Sequence, residues 1–423
     1  MDERDDRAGY SVPDTGGDAA ASEAVPVRLD YDGQWRDIAK IAVGNALLTL
    51  LTLGIYSFWG RTNIRRYLWS RTTINGTPLE YTGTGLQLFL GFIVIMVLFF
   101  GVNLASQFLQ GALIAQVNTG DGPGIVAGLI AVVVALVTVW LYIAFASFLE
   151  FRVRRYLLRQ TAWNGIHLRQ GGRNGAMIRI ALREAALVMV SFGVLVPRMI
   201  IRTEGYAYAS SFFGNRRFGY SASPRSLYQP WLVGVLLPIL AYVAVFAVFG
   251  IRVALSAQDG GDVGEAFMHN LILLPFAVLF LALLLIGWCW FRAHLFNLSV
   301  SALTLVPLRF EAGIEPRAFR SAWLRYYGVL LGGLLVLGGL AALAPGLLDA
   351  GGIVVMVILY GGFALATQIF YDTIVVHGLW KARVAATTVT GLLDPDTIRQ
   401  AQLETQRAGE GLGQYFDAGI GEV

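Results

Sequence analysis

Few side chains of this sequence combine the types and spacing that chemistry needs. The four histidines, His167, His269, His294 and His377, stand far apart, and no two have the i, i+4 spacing of a helical metal pair. Cys289 is the single cysteine, so neither an intrachain disulfide nor a multi-cysteine zinc site can form. No nucleophile elbow, phosphate loop or His-Glu-x-x-His helix is present. No cofactor or metal is expected, and enzymatic activity is not. What remains is carboxylate, amide and guanidinium chemistry beside long apolar runs. Glu150 and Asp372 close two such runs. Each could hold a proton or a cation, and the ordinary reading is a solvated helix end, paired with Arg152 or Lys381. Asn103, Gln107 and Gln110 recur at helical spacing. They form either a polar path through a membrane or helix–helix hydrogen bonds worth about 1 kcal/mol each, and the second is the ordinary case. Arg183 and Glu184 are adjacent, do not share a helix face, and read as the wet edge of a short apolar segment. Arg65, Arg66, Arg154 and Arg155 read as contacts to anionic lipid headgroups, worth about 1 kcal/mol per basic residue near the surface. Nucleic acid is the weaker alternative and is not expected, because these arginines flank apolar runs.

The apolar runs must position these groups. The chain has 423 residues, 56% hydrophobic and 14% charged, against roughly 25% charged in a soluble domain. That balance excludes a disordered chain, a fibre and a disulfide scaffold. Six stretches lack Asp, Glu, Lys and Arg: Leu86 to Gly120, Gly122 to Leu149, Ser226 to Ile251, Ala266 to Phe291, Tyr326 to Leu348 and Ala350 to Tyr371. A bilayer core takes about 20 apolar residues per helix, and backbone in lipid must satisfy its own polar groups. Six spanning helices are therefore predicted near 86–109, 125–149, 230–251, 270–291, 326–344 and 353–372. Three shorter stretches, 41–60, 185–197 and 293–308, are each a span, a re-entrant piece or an interfacial helix. The basic flanks of 180–197 favour an interfacial or re-entrant piece there and, by analogy, at 41–60, where the alternative is a true first span with the N-terminus outside. Gly328, Gly332, Gly333, Gly338 and Gly339, with Gly361 and Gly362, predict close packing within the last hairpin.

Charge placement sets orientation. Residues 110–124, 253–269 and 345–352 carry no Lys or Arg, whereas residues 150–229 carry thirteen arginines and residues 292–325 carry five. The positive-inside rule puts the arginine-rich segments in the cytoplasm, giving three transmembrane helical hairpins. The net charge of +4 says less than this asymmetry. Residues 1–37 read as a disordered acidic tail without the pattern of a signal peptide, residues 38–385 as the membrane domain, and 386–423 as a cytoplasmic tail with a capped helix from Asp394 to Arg407.

One segment repeats. Ile64-Arg65-Arg66-Tyr67-Leu68 matches Val153-Arg154-Arg155-Tyr156-Leu157 at an offset of 89, continuing through Asn75/Asn164 and Gly76/Gly165. An offset of 139 pairs Gly54 with Gly193, Tyr67 with Tyr206 and Tyr81 with Tyr220. Weaker echoes lie at Ser301 to Phe310 and at Thr387 to Gly391. Thr72-Thr73-Ile74 before Asn75-Gly76 predicts a β-hairpin, because Asn-Gly supplies the two positive φ angles of a type I′ turn. Thr161-Ala162-Trp163 before Asn164-Gly165, and Phe212-Phe213 before Gly214-Asn215, repeat the signal. A lone hairpin is marginal, so the hairpins are expected to pack as a small cytoplasmic sheet.

The run from Asn45 to Trp59, then Arg65-Arg66-Tyr67, then Tyr81-Thr82-Gly83-Thr84-Gly85, resembles the YjgN family of bacterial inner-membrane proteins. The likeness is dense over residues 40–95 and extends in layout to about 385. At Val196-Pro197-Arg198 the second copy departs from Ser57-Phe58-Trp59 of the first. The resemblance implies an inner-membrane location and carries no catalytic residues. The expected fold is an all-α polytopic membrane protein with three hairpins, re-entrant or interfacial helices and short cytoplasmic β-hairpins. Passage or gating of a small neutral or apolar solute is the first functional expectation. A non-transporting scaffold or lipid-binding accessory protein, with membrane lipids as partner, is the second.

Overall fold

The computed structural model of the chain describes residues 25–118, 124–258, 274–343 and 350–393. The chain enters through two short strands, β1 (Val25–Pro26) and β2 (Leu29–Tyr31). Among the described residues it then runs one plan five times: two helices that fold back on each other, followed by a β-hairpin in the first four units and, in the fifth, by two strands that pair with other parts of the chain. The first unit is α1 (Trp35–Leu51), α2 (Ser57–Ser70), β3 (Thr72–Ile74) and β4 (Thr77–Tyr81). The second is α3 (Gly85–Asn118), α4 (Gly124–Arg159), β5 (Thr161–Trp163) and β6 (Ile166–Gln170). The third is α5 (Asn174–Val190), α6 (Val196–Ala209), β7 (Ser211–Phe213), β8 (Arg216–Arg217) and β9 (Gly219–Tyr220). In the fourth, α7 (Arg225–Trp231) passes through a π-helical turn (Leu232–Leu236) into α8 (Leu237–Gln258), then α9 (Leu274–Ser301), β10 (Leu303–Leu305) and β11 (Leu308–Ala312). The fifth is α10 (Pro316–Leu343) and α11 (Ala350–Phe370), a π-helical turn (Tyr371–Val376), α12 (His377–Ala385), β12 (Thr387–Thr390) and β13 (Leu392–Leu393).

All five helix-to-strand joints are built alike. The residue after the helix donates its amide to the carbonyl four residues back: Arg71 to Tyr67 (3.1 Å), Gln160 to Tyr156 (3.0 Å), Ser210 to Tyr206 (3.2 Å), Ala302 to Leu298 (3.0 Å) and Ala386 to Ala382 (3.0 Å). In four units the next residue adds a hydroxyl donor: Thr72 to the Leu68 carbonyl, Thr161 to Leu157, Ser211 to Ala207 and Thr387 to Arg383, all within 2.8–2.9 Å. These bonds satisfy carbonyls that a helix end leaves without intrahelical partners. Leu303 has no hydroxyl for this role.

The hairpins join side by side. One antiparallel sheet runs β2-β3-β4-β5-β6-β7-β8 and another runs β9-β10-β11-β12. β8 and β9 are parts of one strand interrupted at Phe218, and β12 comes beside β2. The two sheets, continuous through β8 and β9 and approaching each other at β2 and β12, curve into a ring whose two ends lie side by side without a described ladder between them. β1 pairs with β13, Val25 opposite Leu393. Inside the ring Trp163, Phe213, Leu305 and Leu308 pack with Ile74, Leu79, Phe310 and Val389, so every hairpin contributes to one core. Around it the helices also close a circle. Each unit's second helix packs on the first helix of the next unit, and α11 returns to α1.

Among the described residues six helices are long and apolar enough to cross a membrane: Gly85–Phe108, Val132–Arg159, Arg225–Val248, Val278–Ser301, Pro316–Leu340 and Val354–Ala385. They match the six stretches expected from the sequence. Residues 293–301 are not separate but continue α9. Residues 25–37 form β1, β2 and the start of α1 instead of a tail, and residues 387–393 belong to the ring. The rest of the N-terminal tail, the helix expected at 394–407 and the mouth around His269 lie outside the described residues. Among the glycines expected to pack the last hairpin, Gly333 meets Phe363, while Gly328, Gly332, Gly338, Gly339, Gly361 and Gly362 have open space around them. The close approach is elsewhere. Gly234 in the first π-helical turn meets the backbone of Gly287 in α9, and a Cβ on either would collide.

Units one and three share one shape. Both have a 17-residue and a 14-residue helix. Their loops take φ +49° at Leu53 and +50° at Phe192, then +95° at Gly54 and +88° at Gly193. Pro197 does not disturb the match, since it stands in the first turn of α6, where proline is tolerated. The Asn-Gly turns also form as expected, with φ +51° and +79° at Asn75-Gly76 and +51° and +74° at Asn164-Gly165. Gly165→Val should destabilise the protein by about 1–3 kcal/mol, the cost of a strained backbone conformation. Gly175→Ala, on a helix with nothing near its Cβ, should be tolerated. Thermal unfolding of the detergent-solubilised protein measures both.

Candidate functional site

Of the amides expected to line a path, Asn103 is engaged within the helical pair. Its Nδ2 donates to the Phe99 carbonyl at 2.9 Å and its Oδ1 accepts from the Tyr142 hydroxyl at 2.7 Å, tying α3 to α4. Gln107 is exposed. Gln110 lies on α3, and its side chain is outside the described part. The arginine pairs diverge. Arg65 is 2% exposed, so protein surrounds its guanidinium, and its charge reaches the Tyr156 hydroxyl. Arg66 is exposed but donates through Nη2 to the Gly83 carbonyl at 3.0 Å. Arg155 makes the same bond to Gly172 at 2.9 Å. In unit four Asn297 takes this position, giving and receiving bonds with the Ile314 backbone at 3.0 and 2.8 Å. In units one, two and four this residue thus pins the hairpin's exit to the helix that precedes it. Tyr67 and Tyr206 are a second repeated clamp: each hydroxyl bonds the amide and the carbonyl of the residue before its unit's first helix, Gln34 and Arg173.

Glu184 is not at a wet edge. It is 4% exposed and forms an ion pair with Arg198 at 3.0 Å across the α5–α6 hairpin. In unit one Asn45 occupies the matching place, also buried, donating to the Gly60 carbonyl and accepting from Asn63. A buried charge needs such a partner, and removing one partner strands the other. Asp372 is buried as well, with the Gln368 amide 3.2 Å from both carboxylate oxygens. The histidines serve the backbone: His167, His294 and His377 each bond a carbonyl, of Arg159, Trp290 and Gly33. Cys289 is buried. Among the described residues no group of three His, Cys, Asp or Glu converges on a metal position.

The densest polar node lies where units two, three and four meet. Glu204 of α6 accepts from Ser299 Oγ of α9 at 2.5 Å and from the Tyr220 hydroxyl of β9 at 3.3 Å, both on Oε2. Tyr220 stacks on Tyr208 with centroids 5.1 Å apart, and the Arg154 guanidinium sits 3.8 Å above the Tyr208 ring. Arg154 and Glu150 of α4 both act on Glu204 electrostatically. Burial pushes the Glu204 carboxyl above its ordinary value, against the lowering pull of Ser299, Arg154 and Tyr220. The Tyr220 hydroxyl is pushed up too, by burial and the Glu204 charge, so it remains a donor. The node can hold a proton on Glu204, with the two hydroxyls and the guanidinium around it. Sequence reasoning passed over Glu204. Its signal was present: at offsets of 139 and 50 it matches Arg65 and Arg154, an acid where the other copies have a base. On the far side of the ring the same layer is aromatic. Trp69 stacks on Trp380 at 4.6 Å, while their indoles donate to Thr161 and Thr72.

A carboxyl whose folded pKa is raised stabilises the fold when protonated. That contribution is complete below the ordinary value of 4.5 and is lost as pH rises through the folded value. The wild-type thermal midpoint should therefore fall more steeply above pH 4.5 than that of Glu204→Gln. Midpoints measured from pH 4 to 8 in one detergent test this, and parallel curves would show that Glu204 does not titrate with folding.

Comparison with known proteins finds inner-membrane relatives. One relative, an "Inner membrane protein YjgN" of Salmonella typhimurium LT2, is 28% identical over 139 residues, 33% of this chain and 30% of that protein. Another of the same name, from Escherichia coli O157:H7, is 37% identical over 62 residues, 15% of this chain and 16% of that protein. The matched stretches thus span under a third of either relative. No solved structure matches the chain. With six apolar helices of spanning length, the chain is a multi-pass inner-membrane protein. A family model described as "Bacterial protein of unknown function (DUF898)" matches residues 26–415, and the chain belongs to that family.

Proposed function

We propose that the chain is a non-transporting, lipid-associated membrane scaffold that displays its β-ring in the cytoplasm. The supporting observation is how little protein surrounds the spans. No more than 28% of any spanning window is buried, and the window in Val354–Ala385 has none. Side chains such as Val97 (66% exposed), Phe108 (70%) and Leu335 (77%) meet no protein neighbour that covers them, so lipid is their solvent. Asn103 spends its amide on Tyr142 and Phe99, which leaves helix adhesion as its role. Three long hairpins, from units two, four and five, cross the bilayer in this reading. Units one and three do not cross. Arginine-rich segments and the ring share the cytoplasmic side by the positive-inside rule. Exposed Arg66 is the member of the arginine set placed to meet headgroups.

Passage of a small solute is the second reading, and the Glu204–Ser299–Tyr220 node with Arg154 is the observation that favours it. Solute-loaded vesicles separate the two. The scaffold reading expects efflux equal to that of protein-free vesicles for neutral and charged solutes. Efflux above that level, reduced by Asn103→Leu or Glu204→Gln, would replace it with passage. Orientation has its own check. In a Cys289→Ala background, Asn75→Cys and Asn164→Cys should both react with an impermeant maleimide from the cytoplasmic side of inverted vesicles. Reaction of the two from opposite sides would refute the three-hairpin topology.

A further inference from the structure

Two of the five units stop short, and their ends are shaped in the same unusual way. The five helix-to-strand joints lie on one sheet ring, so helix lengths counted back from it compare heights. α2 and α6 run 14 residues each, α9 runs 28 and α4 runs 36. At 1.5 Å per residue these reach about 21, 42 and 54 Å. By the repeat offsets, Leu53 of unit one and Phe192 of unit three stand level with Tyr142 of α4. That is eight residues beyond Glu150, where the charge-free stretch of α4 ends, or about 12 Å past that charge. The tips are continuous with the apolar band of the spans.

The tip side chains point outward. Leu51 is 78% exposed, Leu53 93%, Val190 80% and Phe192 85%, with Ile55 and Val194 beside them. A bulky residue with positive φ is a backbone outlier, yet both loops place one there, Leu53 and Phe192. Water-facing loops of this shape would suit asparagine or glycine. The amides of both loops are also all used internally. In unit one, Thr52 donates to Leu48, Leu53 to Leu50, Gly54 to Thr49, Ile55 to Thr52 and Ser57 to Gly54, while Tyr56 donates to the Thr52 hydroxyl. In unit three, Ser191, Phe192, Gly193, Val194 and Val196 repeat those backbone bonds, and Leu195 donates to the Ser191 hydroxyl. Each of those hydroxyls in turn donates to a helix carbonyl, of Leu48 or Val188. A loop without an unpaired amide, apolar outside, is what lipid demands and water does not.

Resting on the topology proposed above, we propose that the tips at Leu51–Ile55 and Val190–Val194 are seated among the acyl chains of the cytoplasmic leaflet, with phospholipid as their partner. Interfacial elements bury their apolar face about 5–10 Å into that boundary, close to the height difference found here. Above the two tips no helix of units one and three continues, so outer-leaflet lipid stands on protein in these two sectors.

Spin labels on the full chain test this in vesicles of phosphatidylethanolamine and phosphatidylglycerol. Leu53→Cys and Phe192→Cys are made in Cys289→Ala, with Val97→Cys on α3 as the lipid reference and Asn75→Cys as the water reference. Accessibility to oxygen over a water-soluble nickel chelate should be several-fold higher at both tips than at Asn75, and near that of Val97. Tips that behave like Asn75 while Val97 remains in lipid would overturn the insertion and leave the topology standing. A Val97 label in water would overturn the topology and the insertion with it. Leu51→Cys and Val190→Cys, at helix ends, repeat the measurement if a label at φ-positive Leu53 or Phe192 prevents folding.

Discussion

A helix that ends has carbonyls to satisfy, and this chain solves that problem five times in one way among the described residues. The following amide bonds the carbonyl four residues back, and in four units a Thr or Ser hydroxyl bonds the next. The solution also sets direction. Only one residue separates helix from strand, so each hairpin leaves its helix at the same angle and meets its neighbours edge to edge. The sheet ring, its shared core around Trp163 and Phe213, and the circle of helices all depend on this joint. Unit four keeps the backbone bond at Ala302 without the hydroxyl, which shows which half of the device is indispensable to the shape.

On this common frame the units differ where function would be placed. The position held by buried Arg65 carries Arg154 in unit two and Glu204 in unit three. The position held by Asn45 carries Glu184, which needs Arg198 as its counter-charge. One backbone plan thus carries a carboxylate node at Glu204 and a stacked indole pair at Trp69 and Trp380. Glu204 touches Ser299 of unit four and Tyr220 of its own unit and feels Arg154 of unit two, so three units meet at its carboxylate.

Much of the scaffold was legible in the sequence. Spans declare themselves by length and lack of charge, and the Asn75-Gly76 and Asn164-Gly165 turns by a steric demand that few residues meet. Pairing across units was not legible. β2 sits beside β3 through Leu29 opposite Ile74, and nothing in a three-residue strand specifies its distant partner. The strand of the fifth unit was visible as an echo, but not that it would lie beside residues 29–31. Glu184 was misjudged because adjacency to Arg183 says nothing about Arg198, fourteen residues on across a tight loop. The glycines of α10 were misjudged because small residues permit contact but do not supply a neighbour. Gly234 and Gly287, which do touch, lie in different helices with no shared motif.

The pairing of β1 with β13 and the placement of β2 beside β12 have a consequence for biogenesis. Strand β2 is among the first described segments to leave the ribosome and β12 among the last. Throughout synthesis the growing sheet is an open arc, with one raw edge at β2 and another that moves outward with each hairpin. Such edges invite pairing with foreign strands. The arc comes round on itself only when residues 387–393 arrive, with β13 pairing to β1 and β12 lying beside β2. A chain halted before those residues would keep the full set of spans in the bilayer and yet remain adhesive towards other nascent sheets.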